Sequence, residues 1–360
     1  MKIAVIGCGG IGGTLAARLT RAGLDVTPIT GNARVATALA ESGYRVRELD
    51  GESWSVAARN TPLVAAGDGD RRAPFDLVLL ATQSTALAAA LASAAPHIAS
   101  NGVVVCCQNG LPEERAAALV GKPRVLGCVV GWGATAVEPG LYQRTSRGGL
   151  QLGRPFAESP EAASVARVLE AASPTRVVDD LAAVRWSKLA INCATSTLGA
   201  VGGDSLGVLM RHRFVRRLAL EVFAEVAAVA RAEGVRPAPV GGTLDIERVA
   251  ITPSERLQRI GSPSLAWKHS ILLAVGVKYR RMRSSMLYAL ERGRPPEIDF
   301  LNGELVRRGV RLGVATPVNA ALVEQVYAIA RRSSSSSLAT LRALHDTVLG
   351  GVEAAHAARV

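Results

Sequence analysis

Lys2-Ile3-Ala4-Val5-Ile6 runs without a break into Gly7-Cys8-Gly9-Gly10-Ile11-Gly12-Gly13. A helical pattern follows over residues 14–21 and stops at Gly23, and a second apolar strand is expected over residues 26–30. Strand, G-x-G-x-x-G, helix, strand is the order in which a Rossmann unit holds a dinucleotide. Gly7 permits the tight turn, Gly9 lets the backbone approach a pyrophosphate, and Gly12 lets helix and strand pack closely. Gly10 and Ile11 open the helix, whose N–H groups and positive dipole end favour phosphates. A glycine hexapeptide alone says little; its place between two strands gives it weight.

The end of the second strand sorts the nicotinamide cofactors. An acid there binds a ribose 2′-hydroxyl, and an arginine accepts a 2′-phosphate. The residues are Thr30-Gly31-Asn32-Ala33-Arg34, with no acid and with Arg34 close by. The expectation is NADP(H) rather than NAD(H). Residues 33–43 then read as a helix and 44–73 as a short strand-and-loop region. Residues 77–81 form an apolar strand leading to Gln83, and a helix follows over 85–95. Residues 103–107 form another strand, ending in Gln108-Asn109-Gly110. Ligands meet the C-terminal ends of strands in an open parallel sheet, so Gln83 and Asn109 are expected on the cofactor side. Asn-Gly is equally a common turn. Residues 125–130 and 149–153 read as strands separated by a glycine-rich span, and the first domain is expected to cover 1–178.

Beyond it the pattern turns helical, and an all-α domain is expected over 179–332. In Arg185-Trp186-Ser187-Lys188-Leu189-Ala190-Ile191-Asn192, continuing to Ser196, the residues Lys188, Asn192 and Ser196 fall four apart. On a helix they share one face, with Leu189, Ile191 and Leu198 elsewhere. Such a ladder suits a helix lining a cleft, and it suits a solvated stripe equally well. Residues 206–233 read as an amphipathic helix pair. His212 and His269 have no partners at metal-ligand spacing, and no metal site is expected. Pro295-Pro296-Glu297 marks a helix start and Thr316-Pro317 another. Residues 333–360 form a serine-rich break and a helical tail.

The net charge of +12 raises the question of nucleic acid. Of 42 basic residues only five are lysine, the arginines are scattered, and aromatics make up only 4%. No known nucleic-acid module is visible, so nucleic acid is not an expected partner. No run of about eighteen apolar residues exists to span a membrane. The first residues enter a strand rather than a signal peptide. Cys8, Cys106, Cys107, Cys128 and Cys193 lack C-x-x-C spacing and sit in apolar surroundings, as in a reducing cytoplasm.

The glycine loop, Gln108-Asn109-Gly110 and Lys188-x-x-x-Asn192 are joined by Ser284-Ser285-Met286-Leu287 and by Glu297-Ile298-Asp299-Phe300-Leu301-Asn302-Gly303. Together they give a chain that resembles the ketopantoate reductase (2-dehydropantoate 2-reductase) family from residue 1 to about 330. The resemblance implies an N-terminal Rossmann domain, a helical C-terminal domain like that of 6-phosphogluconate dehydrogenase, and a substrate cleft between them. It implies NADPH-dependent reduction of ketopantoate to pantoate, a step of pantothenate biosynthesis. Lys188 matches the general acid, Glu297 the active-site glutamate, Asn192 and Ser285 the substrate-binding residues, and Asn109 the asparagine where cofactor and substrate meet. Hydride reaching a 2-oxo carbonyl leaves an alkoxide that needs a positioned proton donor, and an arginine cannot serve. The chain departs from the family at Gly31, where an arginine is common, at Gln83, where a lysine supports the 2′-phosphate, and at Ser196, where the ladder carries a second asparagine. The alternatives are a relative acting on another 2-oxo acid or an imine, and a non-catalytic dinucleotide-binding sensor. The expected partner is a small 2-oxo acid, with a homodimer left open.

Overall fold

The computed structural model describes residues 1–64, 74–239, 244–257 and 262–357. The chain divides into two units, Met1–Leu181 and Ala182–Val360.

The first unit begins with β1 (Lys2–Ile6), α1 (Gly10–Arg21), β2 (Asp25–Ile29) and α2 (Ala33–Ser42). Then come β3 (Tyr44–Arg47), β4 (Ser53–Val56), β5 (Phe75–Leu80), α3 (Leu87–Ala94), β6 (Ile98–Cys106), α4 (Glu113–Val120) and β7 (Val125–Val130). It closes with β8 (Ala134–Glu138), β9 (Leu141–Arg144), β10 (Leu150–Gly153), α5 (Ala162–Glu170) and β11 (Thr175–Val178). The main sheet runs β11-β10-β7-β6-β5-β1-β2. It is parallel from β2 to β7, β10 is antiparallel to β7, and β11 is parallel to β10.

Side chains alternate across a strand, and both faces of β1 are covered. Ile3 and Val5 share a core with Leu15 and Leu19 of α1, while Ala4 and Ile6 share one with Leu87 and Leu91 of α3. That is why β1 reads as a continuous apolar run. The chain leaves β1 for β2 on one side and returns to β5 on the other. The sheet therefore reverses direction at the C-terminal ends of β1 and β5, where a doubly wound sheet opens its ligand crevice.

The glycine-rich span expected to link the strands at 125–130 and 149–153 contains two strands, β8 and β9. They join β3 and β4 in a second sheet, ordered β4-β3-β9-β8, with β3 parallel to β9. This sheet covers the other side of α1, and Tyr44 and Tyr142 are fully buried beneath it. The region expected at 44–73 supplies β3 and β4, and Leu63 makes a single parallel bridge to Ile29. Residues 65–73 of that expected segment lie outside the described residues.

The second unit is built of α6 (Leu181–Gly202), α7 (Leu206–Leu209), α8 (Arg213–Ala232), α9 (Ile246–Val249), α10 (Pro253–Leu257) and α11 (Pro263–Lys278). It ends with α12 (Ser285–Glu291), α13 (Asn302–Leu312), α14 (Pro317–Ala330) and α15 (Leu338–Ala357). The helix start expected at Glu297 is a 3₁₀ turn, Glu297–Phe300. Leu301, at φ −118° and ψ −100°, breaks the helical path before α13 begins. Ser337 caps α15 by accepting the Thr340 N–H, and Leu341 and Leu344 of the tail are buried. No helix among the described residues is long and apolar enough to cross a membrane.

Candidate active site

In the first unit the glycines divide their tasks. Gly7 sits at φ +98°, a left-handed conformation that glycine adopts without steric cost. A Cβ there would lie 2.6 Å from the Thr82 nitrogen, so the turn leans directly on the loop after β5. At Gly12 a Cβ would lie 1.9 Å from the Gly7 carbonyl oxygen, a contact no side chain survives. Gly10 and Gly13 serve the second sheet: added Cβ atoms would meet the Ala134 carbonyl and the Tyr142 ring, both at 2.1 Å.

Gly9 differs from all of these. It is exposed, and a Cβ would meet nothing within 4 Å. As the N-cap of α1 it offers no side-chain acceptor to the first helical N–H groups. Open space at a helix N-terminus without a capping side chain fits a pyrophosphate.

Two other strand ends come to this turn. Gln83 is exposed directly after Thr82, and Asn109 is exposed after β6. Their loops are tied together: the Ser84 hydroxyl donates to the Asn109 carbonyl at 3.3 Å, and Gln108 Nε2 donates to Thr82 Oγ1 at 3.3 Å. At the end of β2, Asn32 accepts the Arg34 N–H at 3.0 Å and so caps α2. Arg34 is exposed on the first turn of α2, and a Cβ on Gly31 would meet nothing within 4 Å. This loop presents a cation and no carboxylate.

In the second unit, α6 carries Lys188, Asn192 and Ser196 on successive turns. Burial lowers the Lys188 pKa, and the positive charge of Arg185 one turn earlier lowers it further. Asn192 is only 7% exposed, and its Nδ2 has no hydrogen-bond acceptor among the described residues. A buried donor left unmade costs about 1–3 kcal/mol, which an acceptor on a ligand would recover. Ser196 is half-buried.

The start of α12 is seated against this ladder. Ser284 Oγ accepts the Met286 and Leu287 N–H groups and donates to the Ser196 carbonyl at 2.6 Å. Gly199 makes room, since a Cβ there would lie 2.8 Å from the Ser284 Cβ. Ser285, named from sequence, is the exposed first residue of α12; its neighbour Ser284 does the anchoring.

Glu297 is half-buried in its 3₁₀ turn. Asn302, five residues on, donates Nδ2 to the Cys193 carbonyl of α6 at 3.2 Å. That tether fixes the turn to the same helix. Lys188, Asn192 and Ser196 thus share α6, Ser285 follows the serine tied to Ser196, and Glu297 lies in the turn before α13, which Asn302 ties to α6 at Cys193. The glycine turn, Gln83 and Asn109 lie at the strand ends. Arg34 stands on the first turn of α2. The spacing rules missed Ser284, Gly199 and Asn302, although a serine before an apolar helix start is itself a cap signal. No group of three or more potential metal ligands occurs among the described residues.

Residues 3–155 match the model of ketopantoate reductase PanE/ApbA, and residues 180–330 match that of its C-terminal domain. The chain belongs to the ketopantoate reductase family. It is an oxidoreductase with the dinucleotide-binding fold of that family. A 2-dehydropantoate 2-reductase of Mesorhizobium japonicum is 29% identical over 355 residues, covering 92% of this chain and 97% of the relative. The crystal structure of a PanE/ApbA family ketopantoate reductase from Ralstonia eutropha aligns with a TM-score of 0.75 at 28% identity, over 92% of this chain and 99% of that one. A D-mandelate dehydrogenase, solved with NADH and anilino(oxo)acetate, shares the fold at a TM-score of 0.76 and 22% identity, over 92% and 99% of the two chains.

Proposed function

We propose that this chain reduces a 2-oxo acid to the 2-hydroxy acid with NADPH, ketopantoate to pantoate being the first choice of substrate, and that Lys188 is the general acid. The observation that carries the reading is the unmatched Nδ2 of buried Asn192, one turn beyond a lysine whose pKa is lowered. A neighbouring acceptor such as a substrate oxygen would satisfy the one and take its proton from the other.

The roles follow from residue chemistry. Lys188 donates a proton to the oxygen that becomes the alcohol, and its ammonium stabilises the developing charge before transfer is complete. Asn192 and Ser196 hydrogen-bond the substrate along the ladder, Ser285 holds its carboxylate, and Glu297 completes the polar set. Gly7, Gly9, Gly10, Ile11 and Gly12 cradle the pyrophosphate, with Gln83 and Asn109 beside them. When bound, a reduced nicotinamide supplies the hydride. The first unit serves the cofactor and the helical unit the substrate. A cytoplasmic setting agrees with five cysteines that are all free and buried.

The preference for NADPH rests on the acid-free loop after β2 and on exposed Arg34. The fold neighbour solved with NADH gives the competing cofactor its claim. Ser196 supports a second reading, a different 2-oxo acid or an imine, because a serine reaches less far than an asparagine into the space beside the ladder.

The test is oxidation of NADPH, and separately of NADH, against a panel of 2-oxo acids, followed by the loss of reduced-nicotinamide absorbance. Ketopantoate with NADPH is expected to give the highest kcat/KM. A higher value with NADH overturns the cofactor assignment, and a higher value with another acid moves the substrate. Cofactor binding without turnover on any acid favours the sensor.

A further inference from the structure

Behind the ladder, the second unit holds a chain of buried polar groups that joins four helices. Asn302 of α13 is wholly buried, and both amide hydrogens and the amide oxygen are hydrogen-bonded. Nδ2 donates to the Cys193 carbonyl at 3.2 Å and to Asn319 Oδ1 at 2.8 Å, and Oδ1 accepts the Thr197 hydroxyl at 2.6 Å. Asn319, at the start of α14, donates both its backbone N–H and its Nδ2 to Glu225 Oε2 of α8, at 2.9 and 2.6 Å. The other Glu225 oxygen accepts the Val318 N–H at 2.8 Å. Thr197 and Asn319 are fully buried, and Glu225 is 5% exposed.

Such a network is costly to bury unless its members are paired, and each polar atom of the Asn302 amide has a partner. A set of apolar side chains of similar volume in place of the whole network would fill the space and leave no polar atom to match, whereas a leucine at 302 alone would orphan the Thr197 hydroxyl and Asn319 Oδ1. The network therefore does something that packing alone would not: it fixes one register and one rotation of α6. At 3.6 residues per turn, Cys193 and Thr197 lie roughly 140–180° around α6 from Lys188. The clamp grips the back of the helix, and the ladder occupies the front.

We infer that Asn302 is a positioning residue of the reductase, holding α6 through Cys193 and Thr197 so that Lys188 and Asn192 meet the substrate in one fixed orientation. The inference rests on the reductase reading above. Orientation matters steeply in such a site, where a misplacement of about 1 Å costs on the order of 10²-fold in rate. The polarity of the contacts specifies an amide. An aspartate at 302 would set a carboxylate oxygen against two acceptors, the Cys193 carbonyl and Asn319 Oδ1.

The test compares wild type with Thr197→Val, which removes one hydrogen bond at nearly constant shape, and with Asn302→Asp. Thermal unfolding shows which variants are folded at the assay temperature. Thr197→Val is the arm that remains if Asn302→Asp fails to fold. In the folded variants, kcat is expected to fall on the order of 10-fold or more, and KM for the 2-oxo acid to rise. NADPH affinity stays unchanged, and the alkaline limb of the kcat–pH profile shifts as Lys188 changes surroundings. Combining Thr197→Val with Asn192→Ala is expected to cost less than the sum of the two, because both act through one helix. Variants with lowered thermal stability but wild-type kcat, KM and pH profile overturn the inference while leaving the reductase reading intact. A wild type that fails to oxidise NADPH with any 2-oxo acid tried overturns the reductase reading, and the inference falls with it.

Discussion

Ser284 donates its hydroxyl to the Ser196 carbonyl at 2.6 Å, and the same oxygen caps α12. One side chain thus terminates one helix and attaches it to another, at the position where the ladder carries serine. Ser284→Ala removes the cap and the tether together. The expected loss is about 1–2 kcal/mol in denaturant unfolding, with a raised KM for the 2-oxo acid because Ser285 is no longer held in place. Gly199→Val is expected to reproduce the KM effect from the opposite side, since its side chain enters the space of the Ser284 Cβ.

Gly12 and Gly9 separate stability from binding. Gly12→Ala sets a methyl group against the Gly7 carbonyl, a backbone atom that cannot swing aside, and it is expected to lower the unfolding temperature clearly. Gly9→Ala meets open space at a backbone conformation any residue adopts, so its unfolding temperature is expected to stay near wild type. Its methyl group would occupy the approach of the pyrophosphate. Fluorescence titration with NADPH is expected to show weaker binding for Gly9→Ala, and that contrast distinguishes the two glycines.

The glycine turn and the strands around it were legible because local sterics fix them: a left-handed turn at Gly7 and two buried faces on β1 leave their mark in adjacent residues. The second sheet was not legible. Its central pairing joins residues 45–47 to 141–143 in parallel, a contact between distant segments with no local signature. β8 is largely exposed and lacks the alternation that marks a half-buried strand. The surplus of glycines was a usable clue, since a dinucleotide turn does not require Gly10 and Gly13; a second layer over α1 does. The ladder on α6 was legible from spacing, but its support was not. Glu225 reads as one more polar residue of an amphipathic helix, and only its partners Val318 and Asn319 reveal a buried role.

That carboxyl also makes stability depend on pH. Burial pushes Glu225 up from 4.5 to about 7, against the hydrogen bonds it accepts from Asn319 and Val318. Because the folded pKa is raised, folding favours the protonated form. The contribution is fully present below 4.5 and is lost as pH rises through about 7. Glu225→Gln cannot titrate and carries a constant penalty for its mismatched amide. Wild type is therefore expected to gain on the variant as pH falls from about 7 toward 4.5, by at most about 1.4 kcal/mol per pH unit. Urea unfolding of both proteins across that range checks it. A difference that does not change with pH would place the titration elsewhere.

Lys188 is the proposed general acid, and single-turnover oxidation of bound NADPH by a 2-oxo acid, wild type against Lys188→Ala and Lys188→Arg, measures its part. In that proposed role Lys188 acts as the ammonium, so the wild-type rate is expected to fall as pH rises through a pKa below the ordinary lysine value. Lys188→Ala is expected to lose ~10²–10⁴-fold with NADPH affinity preserved, and Lys188→Arg to give no rescue, because a guanidinium does not release its proton. Wild-type rates in Lys188→Ala, with the alkaline limb unmoved, would contradict the assignment.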